Sequence, residues 1–454
     1  MWVMSYHALK RLCLDLSYLT LVFVLLVCAI DSLASSWRQH ALLLPNGGRQ
    51  VSDFVVFYMG GKVVNSADVK HIYDPAVQLR CFNDLIYPIH VDKPFYFLHT
   101  PQMFCLMSVL ARLPIERAFL VWIVFSLVSA GLTFFLLLRR CRSYSFTTCL
   151  LMELAVAASF PTMLSIRMGQ LSALLLALIC IFCFGLLKGR DIVAGLALAA
   201  LTIKPHYAVF FAVLALAQKR WKLICVALVS FVALMTWIAY IVGIDNILFY
   251  PLIATHADTT DDYLGISAAG MISIRGVTQT FLPDFLRLPV AFVFMFAAVA
   301  FCYFIWNRRI WRPSGEQPVQ FWLISTTCLL MITFSPHSHF SDLLLLAPAV
   351  LTLEHPHLAD MFSQKRALTV RLWSALLIFY PLIPGMVVFL SALIPIQPFL
   401  TIFAINVLML ALAVRQLQTS KADIIPVSNS LRSTPTHATR EGLGVYKVRQ
   451  PVHR

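Results

Sequence analysis

The chain is built from long apolar runs closed by short basic loops, and that pattern leaves few folds open to it. Ala118 to Leu138 is the clearest run, ending at Arg139-Arg140-Cys141-Arg142. A helix needs roughly 17–25 mostly apolar residues to cross a bilayer. Similar runs cover Cys13–Leu33, Phe146–Leu164, Leu171–Leu187, Leu223–Val242, Val290–Trp306, Phe321–Phe334, Leu343–Leu353, Leu372–Leu390 and Phe399–Val414. Ile192–Ile203 and Tyr207–Ala217 are shorter and read as a hairpin with its tip at Lys204-Pro205-His206. Such a tip reaches part-way, or points into a water-filled cavity where broken helices are tolerated.

The basic residues set the orientation. Arg139-Arg140, Lys188-Gly189-Arg190, Lys219-Arg220 and Arg308-Arg309 close alternate runs, and the positive-inside rule places them in the cytoplasm. The first run follows Lys10 and Arg11 and lacks a small-residue cleavage site, so it is expected to stay as an uncleaved helix. The sequence thus predicts an all-α polytopic membrane protein of about twelve transmembrane helices with both termini cytoplasmic. A long first outer loop, 34–117, is expected to carry surface helices, one of them the apolar stretch Phe104–Leu110. A second outer loop covers 243–289, so that 1–414 form the membrane domain and 415–454 a basic, disordered cytoplasmic tail.

Composition agrees. Of 454 residues 60% are hydrophobic and 12% charged, about half the charge fraction of a soluble protein, which removes the soluble-enzyme classes. The net charge of +14 belongs to helix ends facing anionic lipid, not to nucleic acid. Most of the eleven cysteines lie in apolar runs as small hydrophobes. Cys81 and Cys105 alone share the first outer loop, where a disulfide is conceivable but unsupported by spacing.

The outer segments hold the polar side chains that could do chemistry. Ser52-Asp53 opens an apolar stretch running through Tyr58-Met59-Gly60-Gly61. A carboxylate in such surroundings has a raised pKa and suits a base that deprotonates a hydroxyl; the competing reading is a helix cap. Lys204 and Arg167 stand at outer turns, placed either to hold a phosphate or to snorkel to the interface. Arg275 lies in the second outer loop with the acidic run Asp258, Asp261 and Asp262, which reads as solvated loop. His337, His339 and Asp342 look at first like a metal site, but no partner cluster accompanies them. They are better read as groups that orient Asp53 or share a proton with it. No P-loop, dinucleotide fingerprint or HExxH motif is present.

Taken in order, the motifs resemble a known family. A first helix precedes Asp53-Phe54 and Tyr58-Met59-Gly60-Gly61, then come Ile72-Tyr73-Asp74-Pro75, an aromatic-Pro stretch through His99-Thr100-Pro101, and Leu113-Pro114. Met168-Gly169-Gln170-Leu171, Ala194-Gly195-Leu196-Ala197 before Lys204-Pro205, and Phe334-Ser335-Pro336-His337-Ser338-His339 complete the series. This order resembles the GT-C membrane glycosyltransferases, and within them glycosyltransferase family 87, the polyprenyl-phosphate-mannose-dependent α-mannosyltransferases. The resemblance implies an inverting sugar transfer from a polyprenyl-phosphate donor to a lipid or glycan acceptor, on the outer face of the plasma membrane. Asp53 would be the general base, and Lys204, Arg167 and Arg275 the cations for the donor phosphate. His337 would join the chemistry, with Tyr58, Gln170, His206 and His339 lining the cavity. Neither a metal nor another cofactor is implied. Two departures stand out: Thr100 interrupts what is often a run of prolines, and Met271-Ile272-Ser273-Ile274 replaces a more polar stretch.

A transporter or lipid flippase is the alternative from another class. It predicts two related halves and a midplane chain of charges, whereas no repeat is visible and the polar residues gather on one side. A structural protein of envelope assembly is a third reading, in which Asp53 and Lys204 would each be dispensable.

Overall fold

A computed structural model describes residues 52–93, 99–257, 270–307, 317–353, 368–380, 382–394 and 396–422, together with the isolated positions 27, 30 and 34. The expected first span Cys13–Leu33 therefore lies almost wholly outside the described residues. So do the acidic run Asp258, Asp261 and Asp262, the basic pair Arg308-Arg309, and the tail beyond 422.

Among the described residues every regular element is helical. The segment expected to form the first outer loop folds into α1 (Asp53–Val64), a 3-10 turn (Val69–His71), α2 (Pro75–Ile86) and α3 (Pro101–Leu110). α1 is buried almost all round, from Phe54 to Gly61. Its close approach to α3 requires the second of the paired glycines: a Cβ on Gly61 would stand 2.4 Å from the Met107 carbonyl oxygen. Only hydrogen fits there. α3 is the expected short apolar helix, with Phe104 buried against Tyr73 at a ring separation of 5.2 Å. Cys81 and Cys105 are both free thiols.

The chain continues as α4 (Ile115–Leu137), α5 (Phe146–Ala157), α6 (Phe160–Met168), α7 (Ser172–Leu187), α8 (Asp191–Leu201), α9 (Pro205–Ala217) and α10 (Trp221–Val242). Short helices α11 (Ile244–Leu248), α12 (Tyr250–Ala257) and α13 (Ile274–Phe281) follow within the segment expected to form the second outer loop. α14 (Asp284–Trp306), α15 (Gln317–Phe334), a 3-10 helix (Phe340–Thr352), α16 (Leu368–Phe379), α17 (Ile383–Ser391) and α18 (Pro398–Ala422) follow.

Four helices among the described residues are long and apolar enough to cross a membrane: α4 extended to Arg142, α10, α14 and the Pro398–Gln418 part of α18. Counting each bent pair as one span raises the number to six. The single spans expected over Phe146–Leu164 and Leu372–Leu390 are broken. α5 and α6 meet at 56°, because Ser159 caps a new helix by accepting from the Thr162 amide, and Pro161 has no amide to continue the old one. Pro384 likewise lies in the first turn of α17, which has no capping side chain. The short hairpin forms, with arms of 11 and 13 residues, but its turn falls at Thr202–Lys204, and Pro205 and His206, expected at the tip, open the second arm because Pro fits the first helical turn. Glycine again sets the packing of its first arm, since a Cβ on Gly195 would meet the Leu223 carbonyl oxygen at 2.8 Å.

Contacts sort the loops into two groups. Arg142 donates to the Leu353 carbonyl at 2.8 and 3.1 Å, and Arg220 reaches Asp191 at 2.8 Å; these segments all read as inner loops in the sequence. The segments read as outer loops meet one another at the site described next.

Candidate active site

Asp53 occupies the first turn of α1. Ser52 is the N-cap residue, and its side chain makes no capping bond. The Asp53 carboxylate is not spent on its own helix, as the capping reading required. Its Oδ2 accepts from the Gln170 side-chain amide. Gln170 is delivered by a tight turn: Gly169 ends α6 in the left-handed conformation, φ +66°, the usual glycine helix stop. A Cβ there would lie 2.4 Å from the Phe54 Cβ, and the Gly169 carbonyl accepts from the Trp122 indole at 2.9 Å. α1, α4 and the Gly169 turn are thereby locked around Asp53.

Lys204 caps the hairpin tip and is nearly buried, at 9% exposure. Its ammonium reaches both Asp342 carboxylate oxygens at 3.1 Å and lies 4.5 Å from the Tyr207 ring centre. Asp342, 1% exposed, also accepts from the Ser172 hydroxyl at 2.9 Å and the His339 amide at 3.0 Å. Tyr207 in turn bonds the Ser338 hydroxyl at 2.9 Å and the His337 carbonyl at 3.2 Å. The His206 ring is 6.0 Å from that of His337. The segment that carries α13 joins through the Ile272 amide, which donates to the Ser338 carbonyl at 2.9 Å.

Electrostatics follow from this packing. Burial pushes the Asp53 carboxyl up to about 6, with the Gln170 hydrogen bond and the Lys204 charge pulling it down and Asp342 pushing it further up. Burial would also raise Asp342, but the Lys204 ammonium, His339 and its amide outweigh it and hold this carboxyl below the usual carboxylate range. His99 is pushed down to about 3, first by burial and then by Lys204, so it is neutral at working pH.

Asp53 and Gln170 are thus brought into contact, and Lys204, His206, His337 and His339 gather around Asp342. Three expected residues sit differently. Tyr58 is buried, and its hydroxyl donates to the Leu113 carbonyl at 2.7 Å. Arg167 is exposed at the end of α6. Arg275 is buried at the start of α13, three residues past the Ile272 link. Among the described residues no three His, Cys, Asp or Glu side chains converge as metal ligands.

Sequence reasoning missed Asp342 as the partner of Lys204, and it missed Ser172 and His99. Phe57 lies one helical turn beyond Asp53, on the same face, and the His99 ring packs edge-on against it at 4.7 Å. Tyr73 holds the His99 carbonyl at 2.8 Å, and Thr100 donates to the Ile203 carbonyl at 3.0 Å. The departure from the family pattern at His99-Thr100 therefore falls between Asp53 and Lys204. The signal available beforehand was that departure itself.

The sequence profile of Glycosyltransferase family 87 matches residues 97–336, more than half of the chain. The chain belongs to glycosyltransferase family 87. It is therefore a membrane glycosyltransferase of the GT-C kind. The matched segment contains Gln170, Ser172, Lys204 and Arg275; Asp53 precedes it, and His337 and Asp342 follow it. No curated protein matches the chain.

Proposed function

We propose that this glycosyltransferase moves a sugar, mannose by its family resemblance, from a polyprenyl-phosphate donor to a hydroxyl of a lipid or glycan acceptor. Asp53 is the general base. As the acceptor oxygen attacks the anomeric carbon, its proton passes to Asp53. The bond from that carbon to the phosphate oxygen breaks on the opposite face, so the configuration inverts and polyprenyl phosphate leaves. The observation that carries this reading is the Asp53 carboxylate: partly accessible, held by the Gln170 side-chain amide, and with its pKa pushed up to about 6 by burial. A base is most effective when its pKa lies near the working pH.

Lys204 supplies positive charge next to the base, with Arg275 and Arg167 as further cations for the donor phosphate. His337 joins the chemistry, and His206 and His339 line the same cavity. In this reading the chain crosses the plasma membrane about twelve times, counting the shorter apolar helices and the first run. Both termini are cytoplasmic, and the site opens on the outer face.

The test uses purified protein in lipid with radiolabelled polyprenyl-phosphate mannose and a lipid and glycan extract from the host. Wild type should move label to an acceptor, whereas Asp53→Asn should bind the donor without transferring. Full transfer by that variant would remove Asp53 as the base. A wild type that neither binds nor transfers would remove this donor, and movement of labelled lipid between leaflets would then support the flippase reading.

A further inference from the structure

Asp342 makes more contacts than a helix cap requires. A cap at the start of the 3-10 helix needs only the His339 amide. Here Lys204 also takes both carboxylate oxygens, and Ser172 donates to one of them. Ser172 lies two residues beyond Gln170. The single Gly169–Ser172 turn therefore holds Asp53 with one side chain and Asp342 with another. Lys204 belongs to a third element, the hairpin tip, and its neighbours Thr202 and Ile203 are fastened to Gln102 and Thr100 of the first outer loop.

We propose that Asp342 is a positioning residue for the transfer reaction: braced by Ser172 and the His339 amide, it fixes where the Lys204 ammonium stands relative to the Asp53 carboxylate. This rests on Asp53 being the base. Lys204 and Asp342 are the charged groups whose fields reach Asp53, while Asp342 itself faces Lys204 and His339. Of the other cations on neighbouring elements, Arg275 is buried at the start of α13, and three more are engaged elsewhere or exposed. Lys70 donates to the Ile241 carbonyl, Arg80 pairs with Asp68, and Arg167 is exposed. The ion pair thus presents Asp53 with two opposed charges at set positions, and neither can change without moving the titration of the base.

The sign of each change follows from charge. Asp342→Asn removes the negative member and leaves Lys204 uncompensated, which favours the Asp53 anion. Lys204→Gln removes the positive member and disfavours it. The test is the pH dependence of transfer by full-length protein in lipid with radiolabelled polyprenyl-phosphate mannose, for wild type, Asp53→Asn, each single variant and the double variant. Relative to wild type, the acid limb should move down by about half a unit or more in Asp342→Asn and up by a similar amount in Lys204→Gln. It should return close to the wild-type position in the double variant. Asp342→Glu, which keeps the charge, should keep the limb in place while turnover falls. A purely structural ion pair would lower turnover without shifts of opposite sign.

Removing one member of a buried pair can prevent folding. The double variant and Asp342→Glu guard against that, because both keep the local charge balanced. Where turnover is too weak to follow, the infrared band of protonated carboxyl that disappears in Asp53→Asn gives the same titration directly. If the limb does not move in either single variant while Asp53→Asn is inactive, the positioning role is overturned and the base assignment stands. If Asp53→Asn transfers as well as wild type, both fall together.

Discussion

The two sides of the site treat the same functional group in opposite ways. On the α1 side, Asp53 is partly accessible and has one side-chain hydrogen bond, and burial pushes its carboxyl up to about 6. On the hairpin side, Asp342 is almost fully enclosed, yet the Lys204 ammonium, His339 and its amide together hold its carboxyl below the usual range, while Ser172 braces it. Burial alone would have raised both. The number and charge of the donors decide the outcome, and a pair of acids pushed apart in this way marks a division of roles. One carboxylate is left able to take a proton, and the other holds a fixed charge.

The sharpest way to break that contrast is to neutralise the reactive side. Asp53→Asn should reduce transfer by about 10²–10⁴-fold, the usual contribution of a general base, with donor binding retained; initial rates and a filter-binding assay measure both. The fixed side should respond in stability first. Lys204→Met strands the buried Asp342 carboxylate, which should cost about 3–5 kcal/mol, read as a lower unfolding midpoint in detergent. Replacing the whole pair by apolar residues should recover most of that loss. An intermediate effect is expected at the connecting turn. Gly169→Ala puts a Cβ against Phe54 in a left-handed conformation, and should destabilise by about 1–3 kcal/mol while loosening Gln170 from Asp53.

Two smaller effects sharpen the comparison through pH. If Asp53 is the base, as proposed, transfer needs its anion, so the rate should be flat above about 6 and fall as pH drops through that value, by about tenfold per unit at the acid end. Gln170→Leu removes a hydrogen bond that favours the anion, so its acid limb should move upward, by about one unit or less. A limb that stays fixed in this variant would detach Gln170 from the base.

The sequence carried the parts of this site that are local. The short-armed hairpin was visible because its apolar runs are too brief to span, and its polar tip could then be recognised. Asp53 stood out as a carboxylate at the head of an apolar stretch, and Gln170 as part of a glycine-marked turn. The ion pair was not visible, because Lys204 and Asp342 are 138 residues apart and their pairing exists only once three elements pack. Asp342 instead drew attention as a neighbour of two histidines. The breaks in the apolar runs were hidden for a related reason. Hydropathy averages over Ser159-Phe160-Pro161 without registering that a new helix begins there, and only backbone hydrogen bonding distinguishes one straight span from two inclined helices.

The 3-10 helix from Phe340 to Thr352 acts as a strut pinned at both ends. Asp342 fastens one end to Lys204 and Ser172, while Arg142 and Tyr144 grip the Leu353 carbonyl at the other. At roughly 2.0 Å per residue against 1.5 Å for an α-helix, its 13 residues reach about a third further than the same stretch would in α form. With roughly three residues per turn, a slip of one residue would swing Asp342 through about 120° and out of reach of Lys204. The Arg142–Tyr144 segment, which holds the far end of the strut, thereby bears on the register of the Asp342 charge at the other.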